Sequence, residues 1–308
     1  MRKILLLLAF SVTSASAQQE ADSLFRFDIL QPRYAYGKGP LILLDEAHHN
    51  YHTTTGRFRP FSDFLRQDGY VVEGNRSAFS PEVLRTARIL VIANALNGVN
   101  VEEWSLPTPS AFTDEEIKHL LAWVQEGGSL FLIADHMPFP GSAEKLASAF
   151  GFTFYNGFAM RVNTTDFTVG SALLIPDIFT PGHGLHDGPA TRGTRPEEII
   201  TSVRTFTGQA FGIPSAAVPI VVLDERFKLL LPSVAWEFTK ETPMIPAAGL
   251  AQGASMEFGL GRLVVFGEAA MFSAQVQRNT VRMGMNAPDA KQNPQLLLNI
   301  IHWLDQAK

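Results

Sequence analysis

The segment Asp45-Glu46-Ala47-His48-His49-Asn50-Tyr51-His52 packs two carboxylates and three imidazoles into eight residues. Asp135-His136 repeats the pairing once, and His183-Gly184-Leu185-His186-Asp187 forms a third cluster in Gly- and Pro-rich sequence. Six of the eight histidines lie in these three segments, and the chain has no cysteine. A metal site here must therefore use His, Asp, Glu or water. Such donors suit Zn, Mn, Ni or Fe. The expected ligands are His48, His49 and His136, with Asp45 either ligating or holding a ligand. A metal-bound water would give its proton to Asp135, Glu46 or Glu268. Each residue also has a plainer reading. Asp45 or Glu46 could cap a loop beneath exposed histidines, Asp135 could bind backbone, and Glu268 could be a buried structural carboxylate.

Other chemistries are excluded. The missing thiol removes cysteine nucleophiles, and His48 and His52 lack the glutamate of a His-Glu-x-x-His metalloprotease motif. No Gly-x-Ser-x-Gly elbow, P-loop or strand-following Gly-x-Gly-x-x-Gly occurs. With a net charge of −5 and scattered basic residues, the chain has no nucleic-acid footprint. Trp104, Trp123, Trp236 and Trp303 are dispersed along the sequence, which predicts no aromatic platform.

The elements that must position these residues alternate regularly. Leu41–Leu44 is an apolar run of strand length, as expected for a strand covered on both faces. A helix follows over 58–67 with Phe61, Phe64 and Leu65 on one side, closed by Gly69. Strands are predicted at 70–72, 89–93 and 129–134, and a short helix at 81–87 is opened by Ser80 and Pro81. Thr113 and Glu116 make a capping box, with Phe112 and Ile117 as its staple. Ile117, Leu120, Leu121 and Val124 form the buried stripe of that helix. A further helix is predicted over 142–150. Strands 254–258 and 262–266 make a hairpin, and a last helix begins with Asn293 as cap. This order predicts an α/β fold: a flavodoxin-like three-layer sandwich with a mostly parallel central sheet. Between about 160 and 245 the rhythm breaks into a β- and loop-rich insertion with strands near 217–223 and 229–235. His183, His186 and Arg192 fall there, and a lid could carry them to the substrate. Asp45, Asp135 and Glu268 fall just beyond predicted strands, where open α/β sheets bind ligands.

Residues 1–17 read as a signal peptide: a basic start, an apolar core over 4–12 and the small residues Ala15-Ser16-Ala17. The mature chain is then expected to be a single domain over 18–308 in the periplasm or secreted. No later segment is long and apolar enough to span a membrane.

The run Ile42-Leu43-Leu44-Asp45-Glu46-Ala47-His48, the 113–128 helix with Ser129–Asp135, and Gly261-Arg262-Leu263-Val264-Val265-Phe266-Gly267-Glu268 occur in that order. This pattern resembles the class I glutamine amidotransferase-like superfamily, especially its exported branch. Relatives there include amidotransferase-like domains of gliding-motility and intraflagellar-transport proteins. The resemblance covers roughly residues 40–155 and 250–308 and implies that fold, with a ligand site on the same rim. It does not carry over the activity. Amidotransferases place a nucleophilic Cys where this chain has Asp135-His136, and a catalytic His near the last strand, where it has Glu268. Without a thiol, glutamine hydrolysis through a thioester is excluded.

Two functions follow as expectations. One is an exported metal-dependent hydrolase of a small polar substrate, such as a sugar or peptide fragment. The other is a non-catalytic module that binds a small ligand or an envelope partner on the same rim. Converging imidazoles and carboxylates would favour the first; groups that pair off as loop caps would favour the second.

Overall fold

Runs of apolar residues too long to leave one face wet become the middle of a sheet. Three such strands stand in the first half of the chain, β1 (Leu41–Asp45), β3 (Ile89–Ala93) and β4 (Ser129–Ile133), with the less apolar β2 (Val71–Asn75) at the sheet edge. Every residue of β3 and β4 is buried. They recur in a computed structural model that describes residues 19–161, 177–277 and 280–306. The predicted signal segment 1–17 lies outside the described residues, as does part of the expected insertion, 162–176.

Later come β5 (Phe158–Arg161), β6 (Val218–Val222), β7 (Phe227–Leu230), β8 (Ala251–Phe258) and β9 (Gly261–Phe266). The main sheet runs β6-β8-β9-β4-β3-β1-β2. From β9 to β2 all neighbours are parallel, with Leu263 beside Leu130, Leu130 beside Leu90, and Ile42 beside both Ile89 and Val72. The β8–β9 hairpin then turns the sheet antiparallel, and β6 joins β8 with a bulge after Pro219. Beyond β6 lie Gly184–Leu185, Asp177–Pro181 and Val203–Thr205. The expected insertion thus supplies strands to the far end of the main sheet. It also contributes to a separate small sheet of β5, β7 and Met244–Pro246.

Alternate residues of the parallel strands enter different cores. Ile42, Leu44, Val91 and Phe131 pack with α1 (Arg59–Gln67) and with the C-terminal helix Asn293–Asp305. Leu43, Leu90, Leu130 and Leu132 pack with α2 (Asp114–Gln125) and α3 (Phe139–Ala149). This is the strand period of two meeting the helix period of 3.6. The result is a large mixed sheet flanked by few helices.

Several boundaries differ from the sequence reading, three of them for a clear physical reason. β2 runs on to Asn75, because an edge strand tolerates the exposed Glu73. α3 starts at Phe139, three residues early, since Pro140 fits a first turn. Asn293 is inside the last helix, which Gln292 caps, and its side chain instead bonds the backbone of Arg204 and Met271. Among the described residues, no helix is long and apolar enough to cross a membrane.

Candidate functional site

The chain leaves β1 towards β2 on one side and returns past it to form β3 on the other. Where a parallel sheet reverses its winding in this way, the loops at the strands' carboxyl ends part and leave a crevice. Asp45 ends β1, Asn94 follows β3, Asp135 follows β4, and Glu268 follows β9. Four non-glycine residues among those described have positive φ: His49 (47°), Asn94 (53°), Thr207 (114°) and Trp236 (68°). His49 and Asn94 lie on these loops. Thr207 adjoins Gly208, which approaches Gly267 and Glu268, and Trp236 touches His136. Backbone strain of this kind gathers at functional rims.

One side of the rim is closed. Asp45 is fully buried, and its carboxylate accepts from His48 Nδ1 at 2.9 and 3.0 Å and from Asn50 Nδ2 at 3.0 Å. His48 Nε2 donates to Glu116 Oε1 at 3.0 Å. Glu116 also accepts from the Phe79 and Thr113 backbone N–H groups and from Thr113 Oγ1, completing the predicted capping box. Burial opposes the charges here, lowering the His48 pKa and raising that of Glu116. The contacts win in both cases. Asp45 and Glu116 raise His48 overall, while Thr113, His48 and Phe79 hold Glu116 down at about 2. His48 is thus an imidazolium clamped between two carboxylates, with the rings of Phe79 and Phe112 centred 4.7 and 4.8 Å away. Neither ring nitrogen has a lone pair free for a metal.

Glu46 is likewise engaged. Its Oε1 accepts from Thr54 N and Oγ1 at 2.8 and 2.6 Å, and its Oε2 from Arg76 Nε at 3.1 Å. Burial raises its pKa, but these partners outweigh that and lower it. The carboxyl lies over Gly74, where a Cβ would come within 2.6 Å. His49 is exposed. His52 is buried, and its Nδ1 accepts from Asn94 Nδ2 at 3.2 Å, so the proton is on Nε2. Burial, then Arg57 and His136, push its pKa down to about 3.

The other side is open only in its chemistry, with polar groups left unpaired among mostly buried neighbours. Asp135 N donates to Asn94 Oδ1 at 2.9 Å, and Asp135 Oδ1 accepts from His136 N at 2.8 Å. Glu268 is fully buried and accepts from Ala270 N and Met271 N at 2.7 and 2.8 Å. Burial, and then the Asp135 carboxylate, raise its pKa well above the usual range. His136 Nδ1 lies 2.8 Å from the Met137 carbonyl. A carbonyl only accepts, so Nδ1 carries a proton; in the neutral ring Nε2 is then an acceptor, with no hydrogen-bond partner among the described residues. Around that ring stand Phe158, stacked at 4.6 Å, Trp236 at 4.7 Å, and Trp104 and Phe139 both at 5.9 Å. Tyr51 extends the strip, 5.3 Å from Trp104 and 5.6 Å from Phe139.

Two of the four tryptophans therefore meet at one imidazole, a meeting that their dispersal along the sequence did not suggest. Trp104 and Trp236 are 132 positions apart in a chain whose fold had to bring them together, so spacing carried no signal. Asn94 and Arg57 were also missed. The strand-end position of Asn94 was the available clue.

The structure brings Asp45, Glu46, His48, His49, Asp135, His136 and Glu268 to one rim. It does not bring His183, His186 or Arg192 there. These three are exposed around Gly184–Leu185, four strand spacings from β4, or about 19 Å of sheet. Arg192 pairs with Asp187. Among the described residues, no three His, Asp or Glu side chains are grouped so as to hold a metal ion.

No protein-family model and no curated sequence matches the chain. Solved structures do. The N-terminal domain of mmIFT52 superposes with a TM-score of 0.57 at 15% identity, over 86% of this chain and 97% of that one. A cytoplasmic protein of Salmonella typhimurium LT2 gives 0.46 at 11%, over 86% and 99%. A putative ThuA-like protein from Bacteroides uniformis gives 0.45 at 10%, over 88% and 94%. At its low identity the mmIFT52 likeness speaks to fold alone, and it fits an amidotransferase-like fold.

Proposed function

We propose that this protein is a small-ligand binding module on a flavodoxin-like three-layer scaffold of the exported amidotransferase-like branch, with its site on the open side of the rim. The observation that carries this reading is the half-exposed Trp236 beside His136, whose Nε2 is a lone acceptor inside an aromatic surround. Binding sites combine apolar and aromatic walls with a few oriented polar groups. Rings of this kind offer flat area at low entropic cost, so a ligand with a ring face and hydroxyl edges, such as a sugar, suits them. An export signal over 1–17 would set this site in the periplasm or the medium.

Titration of tryptophan fluorescence with monosaccharides and short peptides tests the reading. A saturable response is expected in the wild type and should vanish in Trp236→Ala and His136→Ala while both remain folded. A response that survives both substitutions defeats it.

The metal-dependent hydrolase would need donors that this arrangement spends elsewhere. His48 is held by two carboxylates and Glu46 by Thr54 and Arg76, leaving ring nitrogens unengaged only on His49 and His136 among the four expected ligands. Elemental mass spectrometry of the mature protein separates the two readings. Near-stoichiometric metal, lost in His136→Ala, would restore the hydrolase.

A further inference from the structure

We infer that Arg57 forms an anion subsite of this rim, so that the ligand carries a carboxylate or phosphate beside its ring. The inference rests on the binding-site reading and names the class of ligand.

Arg57 is half-buried, and its Nε is wholly buried without a hydrogen-bond partner. No carboxylate pairs with it among the described residues. Its neighbours behave differently: Arg59 and Arg66 pair with Asp63, Arg76 with Glu46, and Arg88 with Asp305. In a chain with 30 acidic and 25 basic residues, a half-buried guanidinium whose Nε is buried and unpaired, with no acid beside it, leaves a polar group unsatisfied unless something else supplies the acceptor. The nearest acid in sequence, Asp63, pairs with Arg59 and Arg66, and Glu46 is committed to Thr54 and Arg76.

Arg57 is also held in place. Its Cζ lies 4.0 Å from the centroid of the Tyr51 ring, which fixes the plane of the guanidinium and leaves its edge for a bidentate acceptor. Tyr51 touches Trp104 and Phe139, and both touch His136. The cation and the Nε2 acceptor are thus joined by a run of ring contacts, through half-buried Tyr51 and Trp104 on one path and through buried Phe139 on the other. Of the titratable groups near them, His52 is neutral and Glu268 is held towards its protonated form. Asp135 is a carboxylate that opposes an anion, and its Oδ1 is turned to the His136 backbone N–H. A ligand whose ring lies on Trp236 and whose anionic group meets Arg57 would use both features.

The test compares D-glucose, D-glucuronate and D-glucose 6-phosphate by tryptophan fluorescence and calorimetry on the full mature chain. A charge-assisted bidentate contact predicts at least about tenfold tighter binding of one anionic sugar over glucose. Glucuronate and the 6-phosphate distinguish a carboxylate from a phosphate. Arg57→Gln should bring the three sugars within about twofold of one another, and added salt should weaken only the anionic one. Arg57→Lys, which keeps the charge but not the fork, should retain part of the preference; it also stands in if the Gln variant fails to fold. Equal binding of charged and neutral sugars, or a preference that survives Arg57→Gln, overturns the inference. The rim reading then still stands if Trp236→Ala abolishes binding. No response to any of the three sugars overturns both.

Discussion

Two sides of one rim use the same residue types to opposite ends. Between β1 and α2, Asp45, His48 and Glu116 saturate one another, and both nitrogens of the imidazole are spent. Beyond β4, His136 keeps a free acceptor among aromatic rings, and Arg57 keeps a buried Nε without a partner. The first side has the denser sequence cluster and the second the unfinished chemistry. Density of titratable residues therefore marks where the loops are tied down. Capacity for a ligand lies where polar groups are left unsatisfied.

If that contrast is right, His48→Ala should be the most damaging single change on the rim. It removes the cation that, among the described residues, joins two buried carboxylates, and breaking such a group typically costs roughly 3–5 kcal/mol. Urea denaturation would read this as a lower midpoint with an unchanged slope. A loss under about 1 kcal/mol would mean that the triad is solvated and the closed side is not closed.

The pH dependence sharpens the same point. His48 has a raised pKa in the folded state, so its stabilisation is complete below the unfolded value near 6.5 and is lost as pH rises through the folded value. His52 is depressed to about 3. Its burial as a neutral ring begins to cost stability as pH falls below about 6.5, and the cost grows until about pH 3. Glu116 adds stability above about pH 4.5 that fades as pH falls towards 2. Stability contributed by the two histidines should therefore peak near pH 6.5. His52→Gln, whose amide oxygen can still accept from Asn94, should flatten the acid limb between pH 6.5 and 3. An unchanged acid limb in that variant would place the proton uptake elsewhere.

A smaller effect is expected at the cap beneath the triad. Thr113→Ala removes the hydroxyl that accepts from Glu116 N at 3.2 Å and should cost about 1 kcal/mol. The loss should fall well short of that in His48→Ala, because Glu116 would keep His48 and the Phe79 N–H.

The scaffold of this rim was largely legible in the sequence because local rules govern it. The capping box at Thr113, the stripe of α2 and the continuous apolar runs of β3 and β4 each depend on residues a few positions apart. So does the placing of Asp45 and Asp135 at strand ends. What spacing could not reveal was how those side chains are spent. His48 meets Glu116 across 68 positions, and Trp236 meets His136 across 100. Both pairings exist only once the sheet order is set. The same limit applies to His183 and His186, whose cluster looked like the others until the order of strands carried it to the far end.

Trp236 gives the finest test of the contrast, because its backbone and its ring make opposing demands. It is a bulky residue at φ 68°, a region that costs an L-residue roughly 1–2 kcal/mol. The residue is 44% exposed, so packing of its ring against His136 and Phe158 returns only part of that. Trp236→Gly removes the ring and the strain together, although glycine gives some of the gain back through the entropy of the unfolded chain. Stability should therefore change by less than about 0.5 kcal/mol, while the ligand response disappears. A residue kept in a strained conformation without a stability benefit is held for what it touches. Should Trp236→Gly instead unfold the protein by 2 kcal/mol or more, the ring would be a structural pin, and the open side of the rim would be as closed as the other.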